Sequence, residues 1–311
     1  MMMATRLEEL RTRNAPLDMP SDDFRSLGHD LVDRIADFLA SMRDHAVTPA
    51  ESPGQVRAAL GANRELPEAG QEPKGLLRQS ADLLFEHSLL NGHPRFHGYI
   101  TSSAAPIGML SELLAAAVNA NVGAWKLSPM ATEIEAQVIR WIAQFIGYPA
   151  ACDGLLVSGG NMANLTCLLA ARAAKAGWDI RKHGVAGGPR LCVYASVETH
   201  TWLQKAVDVA GLGTEAIHWL ERQPLDLKEL EIRYEQDLAA GYQPFLVVGS
   251  AGTVSTGEVD PLPELAAFCR GRNLWFHVDG AYGAFAAALE DAGPDLKGLQ
   301  LADSVAVDPH K

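Results

Sequence analysis

Two charged residues in this sequence close apolar runs that read as β-strands. Asp279 ends "LWFHVD", and Lys311 follows "SVAVDPH". In a parallel sheet, residues just beyond the carboxyl ends of the strands face the ligand crevice. A lysine there can act as an amine nucleophile, and an aspartate can hold a cationic nitrogen. A third segment, "LLVSGGNMANL", runs from an apolar stretch through Gly159 and Gly160 into a helical pattern. Such a turn lets backbone N–H groups approach an anion at a helix N-terminus. It lacks both the lysine of a Walker loop and the three-glycine spacing of a dinucleotide fingerprint. "YASVETH" delivers His200 to the start of a helix, and "GSAGTVSTGEVDP" offers the hydroxyls of Thr253 and Thr256. Each feature taken alone also has a plain structural reading: a tight turn, a helix cap, a polar loop.

Together they match one chemical requirement. Pyridoxal phosphate needs a lysine for its Schiff base, an acid for its pyridine nitrogen and an anion cradle for its phosphate. Lys311, Asp279 and the Gly159–Gly160 turn supply these types, and His200 could stack on the ring and position a proton donor. The ε-amine of Lys311 must lose its charge to react, so partial desolvation is expected around it.

The elements that would position these groups are legible in outline. "GLLVS" (154–158), "LCVYAS" (191–196), "FLVVGS" (245–250), "LWFHVD" (274–279) and "SVAV" (304–307) read as strands, with helical patterns at 162–176 and 262–269 between them. This alternation predicts an α/β domain with a mostly parallel sheet. Upstream, "SPMATEIEAQVIRWIAQFIGYP" predicts a helix. Ser128 is its N-cap, Pro129 its first residue, Ile134, Val138, Trp141, Ile142 and Phe145 its apolar face, and Gly147 with Pro149 its stop. The expected division is a helical N-terminal arm and connector over 1–90 and a large α/β domain over 91–311. In the arm, Phe24, Leu27, Leu31, Ile35, Phe38 and Leu39 fall at helical spacing. The Pro-, Gly- and charge-rich run from Thr48 to Gly75 reads as an extended connector.

The chain has 311 residues, 48% of them hydrophobic, and a net charge of −12. That charge argues against nucleic-acid or membrane-surface binding, which rely on excess Lys and Arg. The start, "MMMATRLEEL", lacks a signal peptide's apolar core. The longest apolar run, 104–118, is too short to span a bilayer, which takes roughly 20 residues. A cytoplasmic protein is expected. Cys152, Cys167, Cys192 and Cys269 form no C-x-x-C pair and are read as reduced, so neither a metal site nor a disulfide framework is expected.

The segments "FRSLGHDLVDRIADFL", "HPRFHGYITSS", "SPMATEIE", "HVDGAYGA" and "ADSVAVDPHK" give the chain a resemblance to the group II pyridoxal-phosphate-dependent amino-acid decarboxylases, which include the aromatic-L-amino-acid and glutamate enzymes. The resemblance covers nearly the whole chain. It implies the fold of PLP-dependent transferases (fold type I), a homodimer, and decarboxylation of an L-amino acid to its amine and CO2, with an aromatic substrate favoured. It implies that Lys311 is the Schiff-base lysine with His310 beside it. Asp279 is then the pyridinium partner, Ala281 a ring contact and His200 the stacking histidine, while Thr253 bonds the cofactor or that histidine. Gly160 and Asn161 fall at the phosphate site, though a serine is more usual at the second position. Asp308 stands where animal aromatic enzymes have asparagine, and an acid there needs water or a donor between it and a phosphate. Tyr99 and Ser102 map to the substrate-side segment.

Two departures from the family pattern matter. Gly123 replaces a bulky ring that aromatic-specific members set against the substrate. The family also continues past its lysine, with a mobile loop bearing a catalytic tyrosine and then a small C-terminal domain, so a truncated chain is expected. Other outcomes are another PLP-dependent carbon–carbon lyase, an aldehyde-forming decarboxylase, or an inactive fragment that keeps only subunit association.

Overall fold

The computed structural model describes residues 2–12 and 18–311, in two compact units, one ending at Ala104 and the other running Ala105–Lys311. Among the described residues the first unit contains four α-helices: α1 (Met2–Arg11), α2 (Ser21–Ala40), α3 (Pro53–Leu60) and α4 (Pro73–Glu86). The stripe expected on α2 packs in part on α4. Phe38 stacks on Phe85 with centroids 4.1 Å apart, Arg78 grips Asp30 through two N–H donors, and Arg34 pairs with Asp82. Arg78 also holds the Asp30 carboxyl below its ordinary range. The run expected to be an extended connector instead contains α3 and the start of α4. Local capping decides this. Ser52 and Gln55 form a reciprocal capping box, Pro53 occupies the first helical position, and Gly61 closes α3 at φ +67°.

The second unit carries α5 (Pro106–Val118), α6 (Pro129–Phe145), α7 (Gly160–Lys175), α8 (Ile180–His183), α9 (Trp202–Val209), α10 (Leu227–Ala239) and α11 (Leu262–Arg272). Its sheet has five parallel strands: β1 (Leu191–Ser196), β2 (Ile217–Leu220), β3 (Gln243–Ser250), β4 (Trp275–Asp279) and β5 (Ser304–Ala306), in the order β2-β1-β3-β4-β5. Strand order reverses direction between β1 and β3, the switch point where such sheets open a crevice. Both faces are covered, which explains the continuous apolar runs. Leu168, Val193, Trp202, Leu203 and Val248 fill the core beneath α7 and α9, and Tyr194, Leu230, Leu265, Phe276 and Val278 fill the opposite one.

Four expected strands are present, and one is not. Residues 154–158 run without ladder partners, with Leu155 and Leu156 exposed and the Leu156 N–H donated to Glu135 Oε1 at 2.7 Å. A strand needs a neighbour to take its backbone groups, and among the described residues none lies beside this one. Conversely, β2 is only four residues long and leaves too little periodicity to read. Helix α6 has the expected bounds, but its buried residue is Ala143, with Ile146 buried just after it at the C-cap. Ile134, Trp141 and Phe145 of the expected core face are exposed.

On the α10 face, Asp237 Oδ2 collects Tyr194 Oη at 2.9 Å, His218 Nδ1 at 2.5 Å and Arg233 Nε at 3.2 Å. Cys192 lies in the same cluster, its ligand atom within 4.8 Å of those of His218 and Asp237. Burial pushes its thiol up to about 12, which keeps it protonated. The cluster balances its charge internally and ties β1, β2 and α10 together.

Candidate active site

The register of the sheet sets Ser250, Asp279 and Ala306 abreast at the carboxyl edge. Just beyond them lies a cavity of about 420 Å³, within the size range of small-molecule sites. Its wall is built from the segments following β1, β3, β4 and β5, together with the N-terminus of α7. Lys311, His200, Asp279, Gly160, Asn161, Thr253, Ala281 and Asp308 all line it.

The α7 end shows why two glycines precede this helix. Gly159 is its N-cap at φ +140°, a backbone conformation essentially restricted to glycine, and no side chain caps the helix. The N–H groups of Met162 and Ala163 turn back to the Gly159 carbonyl, so the donors of Gly160 and Asn161 are left for the cavity. Free donors and the helix dipole at such an end favour an anion.

His200 stands before α9 and accepts the Trp202 backbone N–H on Nδ1 at 3.2 Å, which leaves Nε2 to carry the proton. The capping role and the ring-stacking role are therefore compatible. Thr253 is buried, and its Oγ1 lies 2.8 Å from Thr256 Oγ1. Ser255 bonds Glu198, a further lining residue, and so ties the loop after β3 to the loop after β1.

Asp279 is held from three sides. Its Oδ2 accepts from Trp202 Nε1 at 2.8 Å and Asn164 Nδ2 at 3.4 Å, and its Oδ1 accepts the Ala281 N–H at 3.2 Å. Behind it, Asn164 Oδ1 lies 2.7 Å from Nε2 of the fully buried His277. Neither Trp202 nor Asn164 was marked by the sequence, although Asn164 follows Asn161 by one helical turn and so shares its face.

The turn after β5 holds Asp308, the acid that the resemblance sets near a phosphate. Asp308 Oδ1 accepts the His310 N–H at 3.0 Å, and the Asp308 carbonyl accepts the Lys311 N–H at 3.2 Å. The carboxylate is thereby partly engaged within its own turn. His310 lies in this turn but not in the cavity wall. The desolvation expected around Lys311 is absent among the described residues, which leave its side chain exposed. Tyr99 and Ser102 belong to the first unit, with Tyr99 at φ +58° and exposed, and their substrate role rests on the resemblance alone.

Residues 53–311 match the pyridoxal-dependent decarboxylase conserved domain. The chain belongs to that family. It is 33% identical over 298 residues to an aromatic-L-amino-acid decarboxylase of Bacillus atrophaeus, covering 95% of this chain and 60% of that protein. It is 32% identical over 262 residues to a human acidic amino acid decarboxylase, covering 83% and 49%. A crystal structure of Oryza sativa TDC with PLP and tryptamine superposes with a TM-score of 0.84 at 28% identity, covering 96% of this chain and 65% of that one. The chain thus spans roughly half to two-thirds of these relatives. The family is pyridoxal-dependent, and the donor set fits that cofactor. The site offers an open helix N-terminus for a phosphate, a carboxylate for a protonated ring nitrogen, an imidazole for a ring face and an amine for an aldehyde.

Proposed function

We propose that this chain forms the cofactor-binding part, over 91–311, of a homodimeric enzyme that decarboxylates an L-amino acid, with an aromatic side chain, to the amine and CO2. The observation that carries this reading is the meeting of Lys311, Asp279 and the open end of α7 around one cavity. Lys311 would hold the cofactor covalently, Gly160 and Asn161 would bind its phosphate through backbone N–H groups, and Asp279 would keep its ring nitrogen protonated. Bound pyridoxal phosphate supplies the electron-withdrawing ring that takes up the electron pair released when CO2 leaves. Thr253 and the Ser255–Glu198 contact support the loop that faces His200, and His200 would cover one ring face with Nε2–H free to donate.

Glu198 supports the choice of side chain. A substrate carrying a second carboxylate would bring like charge toward Glu198 in a partly enclosed cavity, which disfavours it. A neutral aromatic side chain meets no such opposition, although Gly123 departs from the bulky ring of aromatic-specific members.

The test is spectroscopic and chemical. Pyridoxal phosphate is added to the purified chain, the excess is removed, the visible spectrum is recorded, and borohydride reduction is followed by peptide mapping. The expected outcome is a bound-cofactor band with the label on Lys311, both lost in Lys311→Ala. Aromatic amino acids should then release CO2 and amine in preference to glutamate or aspartate. Labelling scattered over surface lysines would overturn the reading, and an aldehyde product would replace it with the oxidative outcome.

A further inference from the structure

Asp279 terminates a hydrogen-bonded chain whose direction can be read from chemistry. Trp275 Nε1 can only donate, and its acceptor is Ser304 Oγ at 2.8 Å. The Ser304 hydroxyl keeps one proton to give, and His277 Nδ1 lies 2.9 Å from it and 3.2 Å from the Ser304 carbonyl, which can only accept. At the other end Trp202 Nε1, also a pure donor, reaches Asp279 Oδ2. Asn164 sits between the histidine and the aspartate, so its amide orientation decides the rest. With Nδ2 toward Asp279, its carbonyl faces His277 Nε2, which must then carry the proton, and Nδ1 is left to accept from Ser304. The reverse orientation would press the amide oxygen against the Asp279 carboxylate, two acceptors in contact.

We propose that Ser304, His277 and Asn164 form a one-way donor chain that ends on Asp279 and, with Trp202, holds it as an oriented anion. These are positioning residues, because they act on the site through Asp279. The proposal rests on the reading of Asp279 as the ring-nitrogen partner. The surroundings agree with the direction of the chain. His277 is fully buried, edge-on to the Trp202 ring at 5.8 Å, and burial favours its neutral form, which the chain requires, outweighing the Asp279 charge and the Ser304 carbonyl that favour the cation. Asp279 is the charged group that acts on it, and Cys167, also on α7, has its thiol raised by burial, with Ser304 opposing that shift. Each link is a neutral donor, so the sole anion sits where a cationic ring nitrogen would need it.

The first test uses the full chain without cofactor, labelled with 15N in histidine. Two-bond proton–nitrogen correlation spectra at neutral pH should show His277 as the neutral Nε2–H tautomer. A cationic His277, or the Nδ1–H tautomer, would overturn the proposal. The second test compares His277→Leu and Asn164→Leu with His277→Gln, whose amide can still donate toward Asn164. The leucine variants should weaken pyridoxal phosphate binding by about tenfold or more, the scale of losses at groups that orient a ligand-holding residue, while the glutamine variant recovers most of it. Equal losses in all three, with unchanged circular dichroism, would reduce the chain to ordinary packing and sink the idea. Asp279→Asn separates the two readings. If it leaves cofactor affinity intact while His277 keeps the predicted tautomer, the chain stands and the assignment of Asp279 to the ring nitrogen falls.

Discussion

The residues around Asp279 do two kinds of work, and pH separates them. His277 has its pKa pulled below the ordinary value of 6.5 by burial, with Asp279 opposing the shift. In the unfolded chain this histidine takes up a proton as pH falls through 6.5, whereas in the folded chain it resists until lower pH. Its contribution to stability is therefore fully present above 6.5 and is lost as pH falls from there toward its folded value, by at most about 1.4 kcal/mol per pH unit. Thermal melts of the wild-type chain and His277→Gln should diverge in that window, with the wild type showing the steeper fall toward pH 5. Parallel pH profiles would mean that His277 is not held neutral.

The junction of α7 with the segment before it carries the most demanding backbone requirement at the site. Gly159 at φ +140° and ψ 170° allows the chain to reverse so that the first donors of α7 open into the cavity. A Cβ at this position would meet no neighbouring atom, so the constraint lies in the backbone and not in packing. Gly159→Ala should therefore lower stability by about 1–3 kcal/mol, measured as a shift in Tm, without leaving a cavity or a clash for a neighbouring substitution to relieve. The same variant should weaken retention of pyridoxal phosphate, because the donors of Gly160 and Asn161 would be re-aimed. A variant as stable as wild type would mean that the turn relaxes to a conformation open to any residue. Gly283 answers a different constraint: its N–H bonds the Ala251 carbonyl at 2.8 Å, and a Cβ there would collide with that oxygen.

At the scale of the molecule, the second unit exposes apolar side chains on α5 and α6. No residue of α5 is buried, Ile107 is 73% exposed, Leu114 and Val118 are each 66% exposed, and Trp141 and Phe145 of α6 stand out as well. An apolar surface of this kind marks an interaction site. The proposed homodimer would cover part of it, and light scattering at micromolar concentration should then give twice the chain mass, while Leu114→Glu shifts the equilibrium toward monomer. A monomeric mass for the wild-type chain would count against self-association. No helix among the described residues is long and apolar enough to cross a membrane.

By itself the sequence marked residues that the fold brings to one cavity, and roughly where they stand. Lys311, Asp279 and the Gly159–Gly160 turn are legible because each follows a local signal, a short apolar run and then a break, that depends on nearest neighbours in the chain. Helix bounds such as Pro129–Phe145 are legible for the same reason. The tertiary structure alone decided the partners. Trp202, Asn164 and Ser304 surround Asp279 and His277 from three other segments, and no periodicity encodes which donor will find which acceptor across a packed sheet face. It also decided that 154–158 forms no strand and that residues 217–220 do, since a strand is defined by the neighbour that takes its hydrogen bonds. Local propensity writes the elements and their exposed ends. The direction of a buried donor chain follows only when those ends are brought together and water is excluded.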